Sequence, residues 1–439
     1  MSELKRALGL SSLCFYAIGM ILGAGIYSVI GIAAEQAGKS LWMSFLISSF
    51  VAFLTGLSYA ELSTMYPKNG AEYNFLKQAF PNQIWFPISI GLTVLLAGSA
   101  TAATVALAFA GYLEVFFSIQ KNLVAFALLV SFTAVNIFGI KQSTWVNILF
   151  TLIESGGLIL FIGLGFKNVD NIFAPFSASL SMSTFSAAGL VIFAYFGFEN
   201  IVNLVEESKK PEKDLPKAII LSLVVVTVIY VLVSLSILGL VSTQEVSRSQ
   251  SPLVDAAKSS SGIASALGAI ALFSTANTAL VSLVVTSRML YGMAHKESLP
   301  SVFSKILPHR KTPWVAALAI LAVSLVLLPL KNIQTIASIS SFTTLIAFIS
   351  VHVALLRLRL TQRNLKRPFK VPFSIKEIAV LPVLGILSCF ALLTQFDAKI
   401  YFSGSGLFLI LIALFYLGKL GAKRQGKANV FTGSFFSKR

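Results

Sequence analysis

The sequence has few charged residues and almost no cysteine. Only 12% of its 439 residues are Asp, Glu, Lys or Arg, whereas 56% are hydrophobic, and the mean hydropathy is +0.84. A soluble fold of this length does not need so many apolar residues, so we predict a protein that crosses the membrane several times. The two cysteines, Cys14 and Cys389, both fall in apolar runs and fit neither a disulfide framework nor a metal-ligand spacing.

Histidine is also scarce, and three such residues leave little for metal binding or acid–base chemistry. The chain has no H-E-x-x-H motif, no G-x-S-x-G motif and no phosphate-binding loop. We therefore expect neither an enzyme nor a subunit that hydrolyses ATP, and we expect no cofactor and no metal. The net charge of +17 does not indicate nucleic-acid binding, because the cations cluster in loops between apolar runs.

Apolar runs long enough to cross a bilayer, about 20 residues each, occur twelve times. They cover residues 11–33, 41–65, 84–117, 122–140, 145–166, 184–205, 216–242, 261–291, 313–330, 333–357, 374–396 and 400–420. With this assignment, 27 of the 34 Lys and Arg residues lie on one side. The positive-inside rule then predicts that both termini are cytoplasmic. The short loops favour a plasma membrane of the bacterial inner-membrane type.

The predicted cytoplasmic loop 66–81 (YPKNGAEYNFLKQAFP) mixes charged and aromatic residues. This pattern predicts a short amphipathic helix on the cytoplasmic face.

Two of the apolar runs are interrupted by small residues. The run 17–31 (AIGMILGAGIYSVIG) contains Gly23, Ala24 and Gly25, and the run 187–205, five segments later, is interrupted at 194–197. A helix in lipid avoids such weak points, because freed backbone groups find no water there. Paired interruptions in two halves of a chain are typical of a transporter's central site.

The first interruption allows two interpretations. A helix that restarts at Ala24 directs its first N–H groups and positive dipole end at a carboxylate. Alternatively, Gly19 and Gly23 form a small-residue seam between packed helices.

We single out four of the acids that lie in or near the spans. Glu199 accompanies the second interruption, and Glu154 lies in the fifth span, where ionised acids are costly and usually functional. Glu154 either carries a proton during turnover, stays ionised beside a cation, or serves as a protonated structural donor. Glu61 and Glu114 lie near span ends, where we expect interfacial acids of little functional importance.

These motifs resemble those of the amino acid, polyamine and organocation (APC) transporter superfamily. Positions 23–27 (GAGIY) resemble its G-S-G-I-F signature, and positions 193–199 (FAYFGFE) resemble its sixth-span signature. Segments 66–80, 206–219 and 277–300 resemble further family motifs, so the resemblance covers about residues 10–300.

The resemblance implies an all-α integral membrane fold of 12 transmembrane helices. Helices 1–5 and 6–10 would form a 5+5 inverted repeat, with helices 1 and 6 broken, and two peripheral helices would follow. The corresponding segments are a cytoplasmic N-terminus (1–10), the first repeat (11–166), the second repeat (167–357), helices 11–12 (358–420) and a cytoplasmic C-terminal tail (421–439).

The resemblance also implies a binding site. The substrate carboxylate would bind amides of the first break and the substrate amino group would bind carbonyls of both breaks, at Ile21, Gly23, Ala24, Gly25, Ala194 and Gly197. Phe193 would be an aromatic gate, and the pocket wall would include Ala24, Ser99, Ala100, Phe196, Asn277 and Ser341. Many proton-coupled members carry a lysine in the fifth span, but this chain has Glu154 there and no Lys or Arg between 144 and 166. Glu154 and Glu199 are therefore the candidates for ion coupling.

We accordingly predict a secondary active transporter of small neutral or apolar amino acids that works by alternating access. We expect it to be coupled to H+, or else to Na+, and to be a monomer or homodimer in the lipid bilayer. The alternative is a carrier or exchanger of polyamines or basic amino acids. A channel or a non-transporting sensor is a further alternative, but the chain has no long polar segment for an output domain.

Overall fold

The computed structural model describes residues 8–67, 71–83, 85–138, 144–167, 174–204, 208–242, 245, 249, 251–295, 299–330 and 332–424. Of the predicted cytoplasmic termini, residues 1–7 and 425–439 therefore lie outside the described residues, as do residues 206–207 of the segment 206–219.

The described chain is almost entirely helical. We number its helices in order: α1 (Leu10–Leu22), α2 (Ala24–Ala37), α3 (Leu41–Met65), α4 (Ala71–Ala79), α5 (Trp85–Leu113), α6 (Lys121–Phe138), α7 (Thr144–Gly165), α8 (Met182–Val191), α9 (Pro211–Leu240), α10 (Pro252–Ala256), α11 (Ser261–His295), α12 (Trp314–Leu327), α13 (Ile333–Thr361), α14 (Val380–Leu393) and α15 (Ala398–Arg424). Short 3₁₀ turns occur at Gly38–Ser40, Ala174–Ser177, Ile192–Tyr195, Phe198–Leu204, Ser301–Ser304 and Leu328–Leu330. The strands of the described residues are β1 (Ser374–Ile375) and β2 (Ile378–Ala379), which pair antiparallel between α13 and α14.

Within the described residues, eight helical stretches are long and apolar enough to cross a bilayer, or nine if the bent pair of α14 and α15 is one span. The first stretch, Leu10–Met65, has 56 residues. At 1.5 Å per residue it would extend about 84 Å if straight, against about 40–45 Å for a bilayer with its head groups. The protein is thus a multi-pass helical membrane protein, while the twelve spans and the inverted repeat stay predictions.

The helices α5 and α13 occupy the centre of the bundle. They lie against each other, α5 also lies against α11, and both helices are mostly buried. The helix α6 is mostly exposed and presents Leu123, Phe126 and Phe138 at its surface. Large apolar side chains on an outer face are the arrangement expected where that face contacts lipid.

The helix α4 confirms the short amphipathic helix predicted in the loop 66–81. Its apolar side chains Tyr73, Phe75 and Leu76 are buried, and the helix lies against α5 and α13. Its apolar face is therefore covered by protein.

The expectation that Glu61 is an inexpensive interfacial acid is wrong, because its side chain is 0% exposed. The Arg359 guanidinium donates to both carboxylate oxygens, with Nε 3.0 Å from Oε1, and the Nε of Arg367 lies 3.2 Å from Oε1. The backbone N–H of Val371 also donates to Oε2 over 2.7 Å, and Arg359 bonds Ser374 of β1. The chain after α13 folds back over the end of α3, which buries Glu61 and supplies its partners.

We expect Glu61→Gln to destabilise the protein by about 3–5 kcal/mol, because the change leaves buried guanidinium groups without a counter-charge. The measurement is denaturant-induced unfolding in detergent micelles. The matched control is Glu114→Gln, since Glu114 forms an exposed ion pair with Lys121 at 2.8 Å, and such pairs contribute about 0–1 kcal/mol. Equal unfolding midpoints for the two variants would contradict the importance of the buried network.

Candidate functional site

The first interruption is a true break between α1 and α2. Gly23 leaves the helical conformation, with φ −48° and ψ −156°, and α2 begins at Ala24. The N–H of Ala24 donates to the hydroxyl of Thr278 on α11 over 2.9 Å. A Cβ atom on Gly23 would lie 2.4 Å from the same hydroxyl, so the small residue lets α11 approach. A side chain from a neighbouring helix thus satisfies a backbone donor that the break sets free.

The second interruption lies after α8. The chain forms a 3₁₀ turn at Ile192–Tyr195, becomes extended at Phe196, and reaches φ +125° at Gly197. Residues with a side chain rarely adopt this φ, and a Cβ on Gly197 would lie 2.4 Å from the carbonyl oxygen of Met20. Both the backbone conformation and the available space therefore require glycine here.

The two breaks touch each other. A Cβ on Gly25 would lie 2.5 Å from the Cα of Ala194, and Gly197 contacts the backbone of Met20 in α1. The residues singled out from the two interrupted runs therefore come together, although about 170 positions separate them in the chain. The structure thus has one central point at which non-helical backbone from both segments converges.

Tyr230 of α9 bridges the two breaks, and the sequence analysis did not identify it. Its hydroxyl lies 2.7 Å from the carbonyl oxygen of Ile21 and 3.0 Å from that of Ala194. These carbonyls belong to the set predicted to receive a substrate amino group. The sequence does contain a signal for it, because Tyr230 is the single tyrosine in the mainly aliphatic run 219–233. A buried tyrosine usually has a hydrogen-bond partner for its hydroxyl.

Glu154 of α7 lies beside the first break, completely buried. Neither carboxylate oxygen has a hydrogen-bond partner among the described residues, and the hydroxyls of Ser274 and Tyr27 also have none there. Ser274 and Asn277 face the carboxylate outside hydrogen-bonding geometry, and Tyr27 interacts with it electrostatically. A buried, unpaired carboxylate is strongly disfavoured in its ionised form, so this cluster suits a bound proton or a bound cation.

Glu199 caps the second break. Its Oε2 accepts the N–H of Gly197 over 2.9 Å, and its Oε1 accepts from Asn200 over 3.3 Å. The carboxylate thus satisfies backbone that the break sets free, in the way that Thr278 does at the first break.

The other predicted wall residues lie on helices that surround α2. Ser99 and Ala100 lie on α5, Asn277 on α11 and Ser341 on α13, and each of these helices contacts α2. Ser341 is buried and its hydroxyl has no partner among the described residues, whereas Ser99 bonds the carbonyl of Leu95 over 2.8 Å.

Aromatic rings line the second break. Phe193 is buried and meets the half-buried Phe196 edge-on, with 5.7 Å between ring centroids. Phe348 of α13 contacts Phe196 at 6.1 Å and Phe198 at 5.5 Å. This side of the break is therefore closed by packed rings.

A cavity of about 220 Å³ opens at the far ends of α2, α8 and α13. Its lining includes Gln36, Ser186, Ser338 and Asp397. Gln36 lies twelve residues along α2 from the first break, about 18 Å at helical rise. In the part of the chain that the structure describes, no group of three or more His, Cys, Asp or Glu side chains converges as a metal site would require.

The sequence profile of the amino acid permease family matches residues 8–429. The branched-chain amino acid permease BcaP of Bacillus subtilis (strain 168) is 31% identical over 89% of this chain and 88% of its own. The glutamate/serine transporter AimA of the same organism is 29% identical over 98% and 86%. Its methylthioribose transporter is 27% identical over 88% and 87%.

These relatives are transporters and permeases, and this chain is likewise a membrane transport protein and not an enzyme. The resemblance that the helix-break motifs predicted is confirmed: the chain belongs to the amino acid permease family of the APC superfamily.

Proposed function

We propose that the protein is a proton-coupled secondary transporter of small neutral or apolar amino acids that works by alternating access. The observation that carries this proposal is the contact between two non-helical breaks in a chain of the amino acid permease family. Non-helical backbone at membrane depth is stable only where protein or a polar cavity surrounds it, and transporters bind substrate at such places.

The proposed topology comprises twelve spans in a plasma membrane, with both termini cytoplasmic. Residues 11–166 and 167–357 form the two inverted halves, and 358–420 supply two peripheral helices. The distribution of Lys and Arg supports the orientation, and the breaks near the start of each half support the repeat.

The breaks recognise the backbone of the substrate. The first N–H groups of α2, at Gly23, Ala24 and Gly25, attract the carboxylate with the help of the helix dipole. The carbonyls of Ile21, Ala194 and Gly197 accept the ammonium group. Because Thr278 and Tyr230 bond some of these groups here, substrate binding exchanges internal hydrogen bonds for bonds to the substrate.

Rings and small residues set the side-chain selectivity. Phe193, Phe196 and Ala100 offer apolar surface, and Ala24 lacks the hydroxyl of the family signature. Glu199 is engaged with the backbone of the break, which disfavours a cationic substrate side chain there. The name of the branched-chain permease supports an apolar substrate, while glutamate, serine and methylthioribose in the names of other relatives show how widely related carriers differ.

The cavity at the ends of α2 and α8 is the proposed route from the outer side to the site. The rings around Phe196 and the packed helix α4 close the other side. Alternating access requires one route to be closed while the other opens, and this arrangement fits a state that faces outward.

Glu154 is the proposed coupling residue. Its carboxylate is buried beside the first break with no hydrogen-bond partner among the described residues, so binding and release of one proton there alter the charge next to the substrate carboxylate.

The first test is uptake of a panel of radiolabelled amino acids into proteoliposomes with an imposed H+ or Na+ gradient. We expect neutral, apolar amino acids to compete best and the proton gradient to drive their accumulation. Competition by arginine or putrescine alone would instead favour the basic-substrate alternative, and accumulation driven by sodium alone would replace the proton.

We expect Glu154→Gln to retain amino acid exchange but to lose accumulation driven by the proton gradient, because the neutral amide cannot bind and release a proton. The readout compares counterflow with gradient-driven uptake. Glu35→Gln, at an exposed position near the end of α2, is the matched control and retains both activities. Unchanged gradient-driven uptake in Glu154→Gln would make Glu154 structural.

We expect Tyr230→Phe to raise the KM for uptake about 3- to 10-fold, since one lost hydrogen bond of about 1 kcal/mol no longer positions the two carbonyls. The matched control is Tyr66→Phe, whose hydroxyl donates to the side-chain oxygen of Gln362, away from both breaks. Equal KM values for the two variants would remove Tyr230 from the site.

A further inference from the structure

Glu72 is a buried acid on α4, outside the membrane-spanning stretches. Glu72 is 7% exposed, and its Oε1 accepts a hydrogen bond from the Tyr59 hydroxyl over 2.7 Å. None of the ion pairs among the described residues includes Glu72. A short helix at the membrane edge thus buries a carboxyl group whose described side-chain partner is a neutral phenol.

Tyr59 connects this acid to the second break. Its ring contacts Phe198 of the break at 5.8 Å and Phe75 of α4 at 6.1 Å, edge-on in both cases. The carboxylates of Glu72 and Glu199 interact electrostatically with each other and with Tyr59. A change of charge at Glu72 is therefore felt at the acid that caps the break.

The cationic groups near α4 that belong to the described residues are engaged elsewhere. Lys77 lies over the ring of Tyr73 at 5.8 Å, and Arg357 of α13 lies over Phe80 at 4.4 Å. Arg359 of α13 pairs with Glu61 of α3, and His352 of α13 lies within hydrogen-bonding distance of hydroxyls of α3. The helix α5 carries no Lys, Arg, Asp, Glu or His. Among the described residues, Tyr59 and Glu199 are thus the titratable groups that act on Glu72 from the packed elements.

Burial raises the pKa of Glu72 above its ordinary value, and the Tyr59 hydrogen bond lowers it in part. Ionisation therefore opposes the packed position of α4. The stability of that position falls as the pH rises through the raised pKa, because the open state releases the proton more readily.

We propose that Glu72, held by Tyr59 and coupled by charge to Glu199, is a proton-binding site that links the state of the second break to the packing of α4. This inference rests on the proposed proton-coupled transport. While α4 is packed, Glu72 holds a proton. When water reaches α4 as this end opens, the O–H bond breaks, the proton goes to water, and the carboxylate remains on the protein.

Repulsion between two buried carboxylates makes simultaneous charge on Glu72 and Glu199 unfavourable. The pair therefore favours a neutral Glu72 whenever Glu199 caps the break as an anion. Closure of this end requires that Glu72 regain its proton, so opening and proton release occur together.

The test uses the full-length protein in proteoliposomes, with amino acid exchange at symmetric pH and accumulation driven by a proton gradient as separate readouts. For Glu72→Gln we expect exchange within twofold of wild type and accumulation reduced at least tenfold. Glu212→Gln, at an exposed acid of α9, is the matched control and retains both activities.

Tyr59→Phe provides a second readout that removes only one hydroxyl. Losing a donor to the carboxylate disfavours its ionised form, so we expect the pH of half-maximal accumulation to move upward while exchange persists. This variant decides the question if Glu72→Gln does not fold.

Three results would overturn the proposal. If Glu72→Gln accumulates substrate like wild type, Glu72 has no such role and proton coupling itself stands. If Tyr59→Phe leaves the pH profile unmoved, the link through Tyr59 is wrong. If the wild-type protein does not respond to a proton gradient, both the proposed coupling and the role of Glu72 are wrong.

Discussion

Backbone polar groups at membrane depth need partners from the protein itself, and this requirement organises the whole structure. Two helices are interrupted, and three side chains satisfy the freed groups, two of them from distant parts of the chain and one from within the second break. Thr278 receives the N–H of Ala24, Tyr230 reaches the carbonyls of Ile21 and Ala194, and Glu199 receives the N–H of Gly197. The substrate binding proposed for the protein depends on the same backbone groups. A substrate can form hydrogen bonds only with backbone N–H and C=O groups that are not already paired within a helix.

Much of this arrangement could be predicted from the sequence. The apolar runs, the small residues at 23–25 and the interruption at 194–197 are local features, and each one limits what the backbone can do at that position. The prediction that the two interruptions share one site depended on the resemblance to a family. The close approach of Gly25 to Ala194 shows that the two interruptions meet. The amphipathic helix in the loop 66–81 could also be predicted from a local pattern of charged and aromatic residues.

The partners Tyr230 and Thr278 could not be predicted, because they come from distant parts of the chain. Tyr230 lies 209 positions from Ile21, and Thr278 lies 254 positions from Ala24. Hydrophobic patterns place a residue in a span but do not say which neighbour its hydroxyl meets. Glu61 shows the same limit, since its position near a span end indicated an interfacial acid, whereas the decisive arginine follows 298 positions later.

The network around Glu61 has a mechanical consequence. It joins the end of α3 to the end of α13 and to the strand β1, and the charged side chains of Glu61 and Arg359 are buried. Separating these parts would leave a buried charge unpaired at a cost of several kcal/mol, which is more than a single hydrogen bond to a substrate contributes. The helices α3 and α13 are therefore expected to move as one rigid body. Because Tyr59 lies two residues before Glu61 and Phe348 lies on α13, the rings that pack against the second break move with these helices.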